Sequence, residues 1–159
     1  MIDKDTLLIY RGREARIFVK DGIKRIGPQA FMLNTNVVSI VLPSSVKQIG
    51  FRAFYGCTSL KEVNIDASYL EIIDSEAFCN CSKLKTLKLP KTSLIVSGAF
   101  RNSGITSINL EDVDLIGCDS FDKTPFYENL PTEKQLKIRS EMKGDRGGFV
   151  HGTMFSFTL

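Results

Sequence analysis

The chain has 159 residues, 43% of them apolar and 25% charged, the proportions of an ordinary globular domain with material for a substantial core. Its 21 lysines and arginines against 18 aspartates and glutamates leave a net charge of +3, too mild to argue for nucleic acid or an anionic membrane. No apolar stretch approaches the ~20 residues of a membrane span, and four cysteines in a chain this long are too few for a disulfide scaffold.

The N-terminus, MIDKDTLLIYRGREAR, places charged residues before any long apolar run, unlike a secretory leader. A complete chain is therefore expected in the cytoplasm, and a fragment of a longer secreted protein outside the cell or on its surface. TLLIYRGRE reads as a strand leading through Arg11-Gly12 into a second strand, a short hairpin cap. The most basic run, Arg11 to Arg25, holds six basic and two acidic residues, spaced as the solvated flanks of a strand rather than as a phosphate-binding patch. Within it, ARIFVKDGIKRIG matches the later VSIVLPSSVKQIG, with Ile17, Val19, Ile23 and Ile26 under Ile40, Leu42, Val46 and Ile49.

That match opens a repeat. Small-aromatic pairs stand at Ala30-Phe31, Ala53-Phe54, Ala77-Phe78, Ala99-Phe100 and Ser120-Phe121, at intervals of 21 to 24 residues. Four residues before each small residue is an isoleucine (Ile26, Ile49, Ile73, Ile95, Ile116). Three residues after the first four phenylalanines come Asn34, Cys57, Cys81 and Ser103. Apolar triplets at Val37-Ile40-Leu42, Leu60-Val63-Ile65, Leu84-Leu87-Leu89 and Ile105-Ile108-Leu110 complete the unit.

The triplets alternate with polar residues, as a short strand with one buried face must. Pro43 and Pro90 end two of those strands and turn the chain outward. Coils stacked at the strand spacing of ~4.8 Å would place the phenylalanines in one buried ladder and the isoleucines in another. No coil alone buries its apolar face, so each is stabilised by its neighbours.

IGPQAF (Ile26 to Phe31), AFYGCTSLKEVNI (Ala53 to Ile65) and AFCNCSKLKTLKLP (Ala77 to Pro90) resemble the BspA-like leucine-rich repeat family, and the resemblance recurs in register over about Ile17 to Phe121. TPFYENLP (Thr124 to Pro131) is similar to a segment that often follows the last repeat in bacterial members. The resemblance implies an α/β solenoid: a right-handed superhelix with a parallel β-sheet on the concave face and short helical or irregular convex segments. It departs from the family pattern where Asn34 and Ser103 replace cysteine, and where the fourth repeat is one residue short between Phe100 and Ile105.

One domain is expected. Residues 1–25 form an N-terminal cap and half-repeat, 26–121 the repeats, and 122–159 a C-terminal cap. In the last segment, Pro131-Thr132 followed by Gln135 reads as a helix start with a capping box, and Gly144 as its stop. Phe155, Phe157 and Leu159 alternate like a strand. Repeat arrays need capped ends for solubility.

Little in the chain points to chemistry. Cys57 and Cys81 fall on adjacent coils, within disulfide reach of each other, yet read better as small buried residues whose S–H bonds a loop carbonyl, with Asn34 and Ser103 in the same role. Cys79 alternates away from Cys81 and breaks zinc spacing, so no metal or cofactor is expected. A Cys118–His151 pair has no orienting acid, GDRGGF lacks the Lys-Ser/Thr of a phosphate loop, and the NCS sequon at Asn80 matters only in a secreted eukaryotic setting.

The candidate ligand-binding residues are the outward strand positions of the concave sheet. One column is Arg16, Ser39, Glu62, Thr86 and Ser107; the other is Phe18, Val41, Asn64, Lys88 and Asn109. Merely solvating the sheet would explain the serines and threonine, but Phe18 beside Val41 is more apolar than solubility needs. The resemblance implies a non-catalytic module that binds an unidentified protein or peptide there. A carbohydrate- or cell-surface-binding adhesin is the alternative, weakened by the absence of tryptophan, since sugar rings stack on exposed aromatics.

Overall fold

The computed structural model describes residues 1–142 and 149–150. In it the repeats wind as a β-solenoid, each coil giving one strand to each of two rows. The short row holds β3 (Arg16–Phe18), β5 (Ser39–Leu42) and β7 (Glu62–Ile65), paired in parallel, and then a separate parallel pair, β9 (Thr86–Leu87) and β11 (Ser107–Ile108). The long row is one eight-stranded sheet. In order it holds β1 (Ile2–Asp3), β2 (Thr6–Leu7), β4 (Arg25–Ile26), β6 (Gln48–Ile49), β8 (Tyr69–Ile73), β10 (Lys91–Ile95), β12 (Val113–Gly117) and β13 (Phe149–Val150). Its pairs are parallel except the terminal ones, β1–β2 and β12–β13.

The expectation of irregular or helical segments opposite a single sheet is therefore corrected. The isoleucine column is not only a core column: Ile26, Ile49, Ile73, Ile95 and Ile116 pair in register as strand residues of the long row. β-Branched residues suit a pleated, half-buried surface, and the residues just before the isoleucines (Arg25, Gln48, Ile72, Leu94 and Leu115) are exposed or half-buried. Among the described residues, helix is confined to those beyond Phe121: α1 (Pro125–Glu128) and α2 (Thr132–Met142).

The turn carrying each small-aromatic pair is a third hydrogen-bonded ladder. Gln29, Phe31 and Leu33 donate N–H to the carbonyls of Phe51, Ala53 and Tyr55 one coil on, at 2.7–2.8 Å. Arg52, Phe54 and Gly56 do the same to Ser75, Ala77 and Cys79. Residues between them bond within their own coil, as Ala30 to Gly27 and Met32 to Gln29. That alternation needs a left-handed residue on each side of the pair, for example Gln29 and Leu33 at φ 57° and 59°, or Arg52 and Gly56 at 52° and 69°. Only glycine adopts this region without penalty, so the ladder holds several side chains in an unfavourable backbone state.

Between the rows lies the core. Phe31, Phe54, Phe78, Phe100 and Phe121 stack with centroids 4.9–5.4 Å apart and planes within 7° of parallel. That separation is close to the strand spacing, so the rings stack because the coils do. The alanines before the first four rings are at most 1% exposed, which leaves no space for a larger residue. At one end of the ladder Tyr10 lies 5.0 Å from Phe31, and its N–H donates to the Ala30 carbonyl as a ladder residue would. At the other, Phe126 of α1 meets Phe121 edge-on at 5.3 Å. Thr124 is the N-cap of α1, accepting from the Tyr127 N–H, and Tyr127, Leu130 and Ile138 are buried.

The start of α2 differs from the capping box expected. The Gln135 amide donates to the carbonyls of Leu130 and Glu128, tying α2 back to the preceding turn instead of to Thr132. The helix stop at Gly144 and the strand at Phe155, Phe157 and Leu159 lie outside the described residues.

Candidate functional site

Burial of one side of each short strand leaves the other side facing out, and there the structure brings the two sequence columns together. Arg16, Ser39 and Glu62 are cross-strand neighbours, as are Phe18, Val41 and Asn64; Thr86 neighbours Ser107. Phe18, Glu62, Asn64, Thr86, Lys88 and Ser107 are exposed, while Ser39, Val41 and Asn109 are half-buried. Phe18 is 78% exposed, an unusual state for a phenylalanine.

The columns are not continuous. Among the described residues no pairing register joins β7 to β9, although the long row passes the same point unbroken through β8 and β10. The coil lengths account for this seam. Ile65 to Ile73 is a step of eight residues and Leu89 to Ile95 only six, so adjacent coils leave the short row along different paths. Where they part, a groove of about 470 Å³ opens, lined by polar Asn64, Asp66 and Lys88 and by apolar Val41, Val63, Ala67, Leu89 and Pro90. An apolar cleft with a few polar groups converging on it is the usual form of a binding site.

Sequence reasoning found Val41, Asn64 and Lys88 but missed the other lining residues, because they line the groove only where two coils diverge. The change in step length was the available signal. Asn109 takes an unforeseen part. Its amide accepts the Leu89 N–H at 2.8 Å and donates to the Leu89 carbonyl at 3.0 Å, carrying the β9–β11 pairing one residue beyond the strands. It thereby fixes the backbone of a groove-lining residue. Asn64 donates to the Glu62 carboxylate at 3.3 Å, orienting its own amide.

The thiols are structural. Cys57 donates to the Phe31 carbonyl and Cys81 to the Phe54 carbonyl, both at 3.1 Å, and all four cysteines are free. Burial pushes the Cys57 thiol up to about 12 and holds those of Cys81 and Cys79 above their ordinary value, which removes the thiolate a nucleophile needs. Asn34 and Ser103 do not share this role. The Asn34 carboxamide oxygen accepts from the N–H groups of Asn36 and Val37, and the Ser103 hydroxyl is buried without a partner among the described residues. Cys118 contacts the Ser97 hydroxyl at 3.1 Å, and His151, its suggested companion, lies outside the described residues. Among the described residues no three His, Cys, Asp or Glu side chains gather as metal ligands, and no helix is long and apolar enough to cross a membrane.

A sequence model of the BspA type leucine rich repeat region matches residues 14–128 in six copies. Among solved structures, the chain is similar to a leucine-rich repeat protein from Bacteroides ovatus (24% identity, TM-score 0.52, covering 68% of this chain and 34% of that one). It is also similar to the pneumococcal vaccine antigen PcpA (22%, 0.61, 75% and 29%) and to a leucine-rich repeat protein from Bacteroides capillosus (24%, 0.53, 65% and 83%). At these identities the likeness shows the fold. The chain spans about a third of the length of the first two of these proteins. No curated protein matches it.

Proposed function

Because this chain belongs to the BspA type leucine-rich repeat family, we propose that it is a non-catalytic interaction module whose short-strand face, the one expected to be concave, binds a protein or peptide. The observation that carries this reading is the groove at the seam, which joins Val41, Asn64 and Lys88 to an apolar lining on one rigid surface. Glu62 and Asp66 on one side and Lys88 on the other supply charges of both signs. The bond from Asn64 to Glu62 orients both side chains before a partner arrives, which reduces the ordering cost of binding. Hot spots cluster where water is excluded, so the groove should dominate the face.

A carbohydrate-binding adhesin is the less favoured reading. Phe18 is the single aromatic among the ten candidate face positions, whereas a sugar site stacks rings on aromatic planes. Cell-surface display would suit either reading, and one similar structure is a vaccine antigen.

The test is affinity capture from the source organism with the native chain and with Asn64→Ala/Lys88→Ala. Captured proteins are identified by mass spectrometry and their affinities measured. The double variant should lose the specific partner while its thermal unfolding stays within about 0.5 kcal/mol of the parent, as exposed positions allow. A partner held equally well by both chains places the binding site elsewhere.

A further inference from the structure

We propose that the outer edge of β3 is a strand-addition site for an extended segment of an acidic partner, in which a carboxylate faces Arg16 and an aromatic or large apolar residue two positions away faces Phe18. The proposal rests on the reading of this face as the recognition surface and adds to it the chemistry of the partner and the mode of its attachment.

Among the described residues, the backbone of β3 has one edge with no partner strand. The Ala15 carbonyl accepts from Ser39 N–H, and Val19 N–H donates to the Val41 carbonyl. With Arg16, Ile17 and Phe18 in register with Ser39, Ile40 and Val41, the odd-numbered residues of β3 use the inner edge. The N–H and C=O groups of Arg16 and Phe18 therefore point outward, and β3 is the terminal strand of its sheet. An unpaired edge of this kind is a template for another strand. The neighbouring long row continues two strands further, through β2 and β1, so the short row stops early and leaves a step beside it.

The side chains at that edge give it a chemical preference. Arg16 and Phe18 both lie on the exposed face, and Phe18 is 78% exposed with its two edge-strand backbone groups beside it. Arg11, Arg13 and Lys20, which flank β3 in the sequence, are exposed. Of the acidic residues in the same stretch, Glu14 accepts the Tyr10 hydroxyl and Asp21 lies exposed beyond the strand, which leaves the cations in excess. In an added strand the residues opposite Arg16 and Phe18 share their face, and the residue between them points to the core side next to buried Ile17. The edge thus reads carboxylate, apolar, aromatic, in an order set by strand direction. Cross-strand charge and aromatic pairs supply the selectivity.

A second copy of this chain is a poorer occupant. It would bring the same cations to the same place. Its own long row, which continues through β2 and β1 at this end, would also overlap this one when the β3 strands paired.

The experiment is fluorescence anisotropy on the native chain with labelled peptides of about eight residues, long enough to span an edge strand. One is centred on Glu-Ile-Phe, one on Lys-Ile-Phe, and one is Glu-Ile-Phe with two amides N-methylated, those of the isoleucine and of the residue after the phenylalanine, which a parallel added strand turns toward the Arg16 and Phe18 carbonyls. The first should bind at least about tenfold more tightly than either of the others, because charge reversal and loss of backbone donors each remove an interaction of that size. Arg16→Glu should reverse the preference between the first two peptides, with the fold intact because the side chain is exposed. Equal binding of the methylated peptide, no saturable binding, or a dimer in solution that β3 edge variants abolish would overturn the proposal. If the peptide binds but is lost with Asn64→Ala/Lys88→Ala and not with Arg16→Glu, the edge proposal falls and the groove stands. Loss with Arg16→Glu alone, with the captured partner indifferent to the groove variants, removes the groove and keeps the edge.

Discussion

Cys57 shows how one residue of this array ties burial to pH. Its side chain is fully buried, its thiol donates to a carbonyl in the preceding coil, and burial raises its pKa from 9.0 to about 12. The folded state thus holds the proton longer than the unfolded chain does. The stabilisation is complete below 9.0 and is lost as pH rises from there towards 12. Cys81 and Cys79 shift the same way, so the midpoint of chemical denaturation should fall steeply above that lower value. Cys57→Ala should be less stable than the parent at neutral pH by about 1 kcal/mol, the worth of the lost bond, and should show a shallower alkaline decline. An unchanged slope would mean the thiol is not buried as described. Gly104 is constrained by space instead of by charge. A Cβ there would lie 2.2 Å from the Ser82 carbonyl oxygen, in the repeat that is one residue short, so the two coils meet backbone to backbone. Gly104→Ala should cost about 1–3 kcal/mol in urea denaturation, as forced overpacking does.

The element that most determines stability is the column of rings. Phe78 is 0% exposed between Phe54 and Phe100, at 5.0 and 5.3 Å, so its removal disturbs three coils at once. Phe78→Ala should cost about 3–5 kcal/mol, a large share of the stability of an ordinary domain. A loss below about 1 kcal/mol would contradict the burial. The aromatic residues at the ends of the column, Tyr10 and Phe126, contribute less because each has a ring neighbour on one side. That Tyr10 belongs to the column was not legible in TLLIYRGRE. It lacks the small residue before it and the isoleucine spacing, and only its stacking and its bond to Ala30 assign it there.

Across the whole molecule, the two rows carry unequal continuity. The short row is interrupted between β7 and β9, while the long row and the turn ladder cross that point intact. Asp66 N–H donates to the Leu42 carbonyl, so the alternate amides, Val63 and Ile65, face the seam. Their hydrogen exchange should be at least about tenfold faster than that of Phe78, whose N–H is bonded to Ala99 at 2.7 Å in the core. Equal protection would show that the seam is closed in solution and that the groove is not open to a partner.

The sequence determined the coil: which residues point inward, which stack, and which alternate with the buried ones along the short row. These follow from periodicity, because equivalent positions one coil apart must meet when coils stack. The sequence also indicated where the regular pattern is broken, at the short fourth repeat and at the substitutions of Asn34 and Ser103. Only the tertiary structure decided that the isoleucines form a second sheet, because a buried column and a buried strand look alike in a pattern of single apolar positions. Only the tertiary structure opened the groove, since that depends on how far two neighbouring coils diverge after Ile65 and Leu89, and one chain segment read alone carries no information about the path of the next.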